Sequence, residues 1–382
     1  MGIRRSFSAV FALLFLMFLV ACAPAPEGTE DLGAPIQWVD SAMEQAVRQE
    51  LGKPTGTVYT GELDHLRIVA IRSSSVQFNN SNIYRYAAEH GVQALDDLAS
   101  FRKLGGLQVS QTQIADCSVI AQCQELQYLY LFENPNLSDI APFTGLPKLS
   151  QLMLFGNPIT DLGPIGTLPE LQELDLRRSK LQGLEVEGAF PKLRKLKLEA
   201  NQISDLGFLS AIPTLQELDL SRNQISDLTP LQTLSRLQKL NLARNSISDL
   251  SPLALGSYPD LAMVDLSFNH IEDLSPLSHL TRLSTLNIAY NQVEDLIPLE
   301  PLAQMRVLTA TGNQFTSIEA LGKLSNLLEL GLSHNLLADV SPLKRLRRLT
   351  ALDLTGCGVT QEDLKALEKA LPDCEIVVQS SL

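Results

Sequence analysis

The chain has 382 residues, 45% hydrophobic, 5% aromatic and 19% charged, and 72 of them are leucine. That apolar content excludes an intrinsically disordered chain, and so much leucine beside so few aromatics points to one small motif used many times. A net charge of −13, from 43 acidic against 30 basic residues, disfavours nucleic acid and acidic lipid as partners, because phosphate binding needs clustered cations.

The first stretch reads as an address. Arg4-Arg5 precede a nearly unbroken apolar run from Phe7 to Val20, shorter than the roughly 20 residues of a membrane-spanning helix and suited to a secretory signal over residues 1–21. The run ends Leu19-Val20-Ala21-Cys22, which resembles the lipobox of bacterial lipoprotein signals. The resemblance implies cleavage before Cys22, its acylation, and a chain that is exported and held on the cell membrane by lipid, facing the extracytoplasmic side or the cell surface. Residues 22–35 are rich in Pro, Gly and acid and read as a tether; Ala23 to Pro35 extended reaches about 40 Å.

Residues 36–65 predict a helical cap. From Ile36 to Leu51 the apolar residues Trp38, Val39, Met43, Ala46, Val47 and Leu51 recur at helical spacing, and Gly52-Lys53-Pro54 ends the pattern. Residues 66–103 hold an irregular first repeat (Leu66, Val69, Ile71, Ser74, Val76) with about 16 extra residues near Gln77 to Val92.

Over residues 104–356 the pattern L-x-x-L-x-L-x-x-N-x-I-x-D-L-x-P-L recurs. Its leading residue stands at Leu104, Leu126, Leu149, Leu171, Leu193, Leu215, Leu237, Leu261, Leu283, Met305, Leu327 and Leu349, and nine of the eleven steps are 22 residues long. This is a leucine-rich repeat. The predicted fold is an α/β solenoid, a leucine-rich repeat horseshoe. Its L-x-L segments form a parallel concave sheet with leucines inward, and its convex side consists of short 3-10 or irregular segments. Asn134, Asn157, Asn201, Asn223, Asn245, Asn269, Asn291, Asn313 and Asn335 fall where the chain leaves each strand, and a stacked short amide there can satisfy buried turn groups. Ser or Thr before Pro, as in Thr229-Pro230 and Ser275-Pro276, suits the start of a short helical turn. Two repeats depart from the pattern and predict local irregularity: 171–192 carries Ser179 for Asn and Gly183 for Asp, and 305–326 carries Ser317 for Asp and Ala320 for Pro. Residues 357–382 predict a C-terminal cap, with an amphipathic helix over Gln361–Leu371 and a last strand over Cys374–Val378.

The N-terminal helix followed by repeats such as Asn223-Gln224-Ile225-Ser226-Asp227-Leu228-Thr229-Pro230-Leu231 resembles bacterial internalin-like leucine-rich repeat proteins over roughly residues 36 to 378. The resemblance implies a concave strand face that binds a protein, usually outside the cell. The wall-sorting motif of the better-known members is missing, and the lipobox stands in its place.

Outward strand positions can be read down columns. One runs Glu173, Lys195, Glu217, Lys239 and the next Asp175, Lys197, Asp219, Asn241; signs that alternate from strand to strand favour cross-strand pairing. Two other groups predict a ligand-binding concave face. Tyr128, Tyr130 and Phe132, with Met153 and Phe155 on the next strand, place large apolar side chains outward, either as an interface or as a flank covered by the 77–92 insertion. The column beside the Asn ladder reads Arg178, Ala200, Arg222, Arg244, Phe268, Tyr290, with the residue types of binding hot spots. The expected partner is a protein or a surface glycan, bound by a monomer; an adhesin or a structural envelope scaffold are the alternatives. Nothing points to catalysis or a cofactor. His65, His90, His270, His279 and His334 are scattered, no G-x-S-x-G, H-E-x-x-H or phosphate loop occurs, and no Cys/His pair has metal-site spacing. Cys117 and Cys123 occupy positions filled by Leu or Ile in sibling repeats and read as buried thiols.

Overall fold

The computed structural model describes residues 32–73, 75–79, 86–87, 91–159, 161–184 and 190–378. The expected leader, Cys22, most of the tether and parts of the 77–92 insertion lie outside the described residues. The chain divides into two compact units, Met1–Met153 and Leu154–Leu382.

In the first unit, helix α1 spans Ser41–Glu50 and buries Ala42, Met43, Ala46 and Val47. It begins five residues later than the apolar spacing suggests, because Asp40 is its cap. One Asp40 carboxylate oxygen accepts the N–H groups of Ala42 and Met43 at 2.9 and 3.0 Å, and the other those of Gln93 and Ala94 at 2.6 and 3.2 Å. Asp97, itself buried, accepts the N–H groups of Val39 and Asp40 at 2.8 and 2.9 Å, which holds Asp40 extended and leaves Val39 exposed. Strands β1 (Ile68–Arg72), β4 (Gly106–Ser110), β5 (Tyr128–Phe132) and β6 (Gln151–Met153) pair in parallel in that order. The described part of the insertion adds β2 (Ser75–Phe78) and β3 (Tyr86–Ala87), antiparallel, on the far side of β1 from β4. It extends the sheet at its edge. Phe78 turns inward and stacks on Phe101 at 6.3 Å between ring centroids.

The second unit runs from β7 (Glu173–Asp175) through β8 (Lys195–Lys197), β9 (Glu217–Asp219), β10 (Lys239–Asn241), β11 (Met263–Asp265), β12 (Thr285–Asn287), β13 (Val307–Thr309) and β14 (Glu329–Gly331) to β15 (Ala351–Asp353) and β16 (Glu375–Val377), each parallel to the next. The register places Leu174, Leu196, Leu218, Leu240, Val264, Leu286, Leu308, Leu330 and Leu352 in one buried row. From β8 to β15 each outer segment carries a short 3-10 turn, except that between β10 and β11, which carries α2 (Ser251–Leu255) and lies in the 24-residue step from Leu237 to Leu261. Helix α3 (Gln361–Ala370), capped by Thr360, precedes β16. This is the parallel-sheet, short-turn build of a leucine-rich repeat solenoid.

Two details of the outer face differ from expectation. The turns are capped by the Asp two residues earlier rather than by the Ser or Thr before Pro: Asp227 accepts the Thr229 N–H at 2.8 Å and Asp273 that of Ser275 at 2.7 Å. Those side-chain and backbone hydrogen bonds hold both carboxyls below their ordinary range. The repeat carrying Ser317 and Ala320 stays regular, because the Ser317 hydroxyl accepts the Glu319 N–H at 3.5 Å and the 3-10 turn Glu319–Lys323 forms. In the repeat carrying Gly183, residues 185–189 lie outside the described residues.

The turns off the strands rest on the Asn ladder. The Asn245 amide donates to the carbonyls of Leu220, Leu242 and Ala243 at 3.0, 2.9 and 3.4 Å, and its oxygen accepts the Ile225 N–H at 3.0 Å. Asn245→Ala leaves the buried Ile225 N–H unpaired and takes one of the donors from the Leu220, Leu242 and Ala243 carbonyls, and is expected to lower the unfolding free energy by about 1–3 kcal/mol. Gln224→Ala, at an exposed side chain beside the ladder, is expected to change it by under about 0.5 kcal/mol. Urea denaturation of both variants checks this; equal midpoints would remove the ladder from the account.

Candidate ligand-binding face

The first unit closes the aromatic cluster that its outward positions suggested. Tyr130, Phe132 and Met153 are only 8, 6 and 3% exposed, and Tyr128 is half-buried. The expectation that these side chains stand open to water is therefore corrected. Ser110, paired with Phe132, is equally buried, so Tyr130, Phe132 and Met153 offer little surface to a ligand. The Tyr130 hydroxyl donates to Gln151 Oε1 at 2.5 Å, which satisfies the one polar group that such burial strands. Large apolar side chains on adjacent strands gain about 25 cal/mol for each Å² they withdraw from water.

In the second unit the column Glu173, Lys195, Glu217, Lys239 pairs along itself as its alternation predicts, but the next column does not: Lys197 crosses to Glu173, and Asp175 and Asp219 turn to Arg177 and Ser221 of their own repeats. Lys239 lies 3.0 Å and Lys195 3.7 Å from Glu217, and Lys197 reaches Glu173 at 2.7 Å. Arg222 lies 3.6 Å from Glu199 of the preceding repeat, so this member of the column beside the Asn ladder is already engaged. Asp175, fully buried, takes bonds from Arg177 Nε at 2.9 and 3.0 Å and from its Nη2 at 2.6 Å. The hydrogen bonds to Asp175 raise the Arg177 pKa further, and its guanidinium lies 5.1 Å from the half-buried Phe155 ring. Arg177 was not singled out from the sequence, and its position just past the strand gave no hint of burial.

The column beside the Asn ladder has a backbone property that no single repeat discloses. Arg178, Ala200, Arg222, Arg244, Phe268, Tyr290 and His334 all have φ between 55° and 59°, and Gly312 and Gly356 in the same column have 66° and 71°. This left-handed turn lets each N–H reach the next repeat: Arg222 donates to Ala243 O, Arg244 to Ser267 O and Phe268 to Ala289 O, each at 2.8 Å. For a residue with a Cβ the conformation costs about 1–2 kcal/mol. The glycines at 156, 312 and 356 were the available sequence signal.

Within this column three side chains form one stack. The Arg244 guanidinium lies 3.8 Å from the centroid of Phe268, and the Phe268 and Tyr290 rings lie 4.5 Å apart at 20°. Tyr290 closes against Gly312, where an added Cβ would lie 2.8 Å from Tyr290 Cδ1. Phe268 and Tyr290 remain 38 and 47% exposed. Arg178 is exposed at the other end of the column, and Ala200 is half-buried between them. The face also changes in character along its length. Strands β7–β10 present paired charges, while the outward positions of β12 and β13 are Thr285, Asn287, Val307 and Thr309.

Reactive groups are scarce. Among the described residues no group of three His, Cys, Asp or Glu is placed to hold a metal ion. Burial pushes the Cys117 thiol up to about 12 and that of Cys123 to about 11, as suits packed thiols.

Comparison with known proteins agrees with this build. Residues 213–271 and 235–293 match a leucine rich repeat model, residues 191–233 a two-copy model of the repeat, and residues 346–367 a further one. A search of the curated proteins finds no match. Among solved structures, an internalin (InlF) from Listeria monocytogenes is 25% identical with a TM-score of 0.63, covering 89% of this chain and 91% of that one. The functional domain of InlJ from Listeria monocytogenes is 21% identical with a TM-score of 0.69, covering 92% and 72%. The mouse RP105/MD-1 complex is 22% identical with a TM-score of 0.62, covering 72% and 50%. The chain thus carries leucine-rich repeats within residues 191–293 and 346–367 and has a leucine-rich repeat fold similar to that of the Listeria internalin InlF.

Proposed function

We propose that this chain is a non-catalytic recognition module that binds a protein through the strand face of its second unit, and that a lipid on Cys22 displays it on the cell envelope. The observation that carries the recognition is the stack of Arg244, Phe268 and Tyr290. Two large aromatic rings add nothing to the core from this position. They stand partly in water on a backbone conformation that favours glycine, and sibling repeats do carry glycine there. Arg and aromatic residues in one exposed row have the composition of an interface hot spot. A glycan is the weaker ligand, because sugar rings pack on open aromatic faces and both faces of Phe268 are taken, by Arg244 and by Tyr290. The likeness to internalins, and to a mouse structure that is itself a complex, supports a binding role. The lipobox resemblance of Leu19-Val20-Ala21-Cys22 supports the anchor.

Two experiments test the two halves. Crosslinked envelope proteins are recovered with the tagged chain, with a Phe268→Ser/Tyr290→Ser variant, and with a Leu255→Ser/Ile297→Ser control altered at exposed apolar residues of the outer face. A protein recovered with the parent and the control, and reduced about tenfold or more with the stack variant, is the expected result. Equal recovery with the stack variant would remove this face from the reading. For the anchor, Cys22→Ser is expected to move the chain from the membrane fraction to the soluble one. A variant that stays with the membrane would exclude acylation of Cys22 as the anchor.

A further inference from the structure

We propose that Arg244 reads a carboxylate of the bound partner, so that the segment recognised is an acidic group beside an apolar side chain. This rests on the reading of the face given above and adds the partner's chemistry.

On this face Arg177 is locked by Asp175, Arg222 lies by Glu199, Lys197 by Glu173, and Lys195 and Lys239 by Glu217. Arg244 has no ion pair and no side-chain hydrogen bond among the described residues, only the Phe268 ring under its guanidinium. Arg178 likewise lacks an ion pair among the described residues, but no ring contact fixes it. Stacking changes what an arginine can do. The ring covers one face of the plane and leaves the N–H groups around its rim, the fork that matches a carboxylate with two parallel hydrogen bonds. A side chain already held in place also loses less conformational freedom on binding.

Among the described residues no carboxylate forms an ion pair with that guanidinium. Asp265, the acid of the neighbouring strand, is spent on its own repeat and the next: it accepts the Ser267 N–H and hydroxyl at 2.9 and 2.6 Å and the Asn287 amide at 3.0 Å. Asp219 is turned in the same way to Ser221, at 2.9 and 2.7 Å. Beyond them, Thr285, Asn287, Val307 and Thr309 carry no charge. A cation with no ion pair among the described residues, held beside two partly exposed rings, calls for a negative group and an apolar one a few ångströms apart. A peptide offers both, either as Asp or Glu next to a large apolar residue or as a free C-terminal carboxylate on an apolar last residue.

The test is selection of random heptapeptides on the full chain in detergent micelles, from two libraries, one with the peptide's C-terminus free and one with it fused. Enrichment of Asp or Glu beside an apolar residue in both libraries identifies a side-chain carboxylate; enrichment only in the free library identifies the terminal one. With a peptide so selected, Arg244→Gln is expected to weaken binding about tenfold or more, and changing the peptide's acid to its amide to weaken it equally. The two changes together are expected to cost no more than either alone, since both remove one interaction. Peptides that are lost with Phe268→Ser but bind Arg244→Gln as well as the parent, with no acid preferred, would overturn the carboxylate and leave the recognition face standing. Selection that is indifferent to Arg244, Phe268 and Tyr290 alike would overturn both.

Discussion

A chain that leaves a strand every 22 residues must bury the turn it makes, and the peptide groups of that turn have no helix or sheet ladder to pair with. The Asn amide resolves this in nearly every repeat. In the second unit, the Asn223 amide donates to Leu198 O of the preceding repeat at 3.0 Å and to Leu220 O of its own at 2.9 Å, while its oxygen takes the Ile203 N–H at 3.0 Å. Asn291 repeats the arrangement with Leu266 O, Ile288 O and the Ile271 N–H. Each side chain therefore satisfies two neighbouring repeats at once, and stability becomes a property of adjacent pairs rather than of any one repeat. The exceptions obey the same accounting. At Ser179 the neighbouring Asn201 oxygen takes both the Ser179 and the Leu181 N–H, each at 3.0 Å, and at Cys357 the thiol reaches Leu332 O at 3.1 Å.

The ladder sets the conformation of the residue before it. For the Asn side chain to turn inward, the preceding residue adopts positive φ and sends its N–H to the next repeat, as Tyr290 does to Thr311 O at 2.7 Å. Its side chain is thereby thrown to the edge of the face, at the same height in every repeat. The column is a rack of fixed positions, and whatever occupies it contributes little to the core. Glycine is the least strained occupant, so Arg, Phe and Tyr there are where local preference and observed residue disagree, as happens at functional sites.

Much of this was legible in the sequence because period and register are the same thing in a solenoid. The leucine rows, the strands, the Asn ladder, α3 and the pairing of Glu217 with Lys239 follow from the spacing alone. Legibility fails where a residue's fate depends on groups outside its own repeat. Tyr130, Phe132 and Met153 sit at outward positions and are nevertheless buried, since alternation along a strand says which side a residue faces and not what else lies on that side. Helix α1 begins at Ser41 and not at Ile36 because Asp97, distant in sequence, ties down residues 39–40. Regularity survived at Ser317 because a hydroxyl can do the work of a carboxylate at a turn. Positive φ left only three glycines in one column as its trace, at positions where most repeats have side chains.

A charged surface built on such a repeat tends to neutralise itself, because residues 22 apart are neighbours and opposite signs in successive repeats meet. Lys195, Lys197, Lys239, Glu173 and Glu217 on the second unit's strand face are spent this way, and exposed pairs of that kind contribute about 1 kcal/mol or less each. The same arithmetic gives meaning to what is left unpaired. A cation that the ladder does not answer, fixed over a ring that the core does not need, is surplus to the fold on both counts. The rigid rows behind it hold that surplus in one geometry, so a partner that fits it loses little freedom in ordering the site. Specificity in this architecture resides in the departures from the repeat, and the repeat's contribution is to keep those departures still.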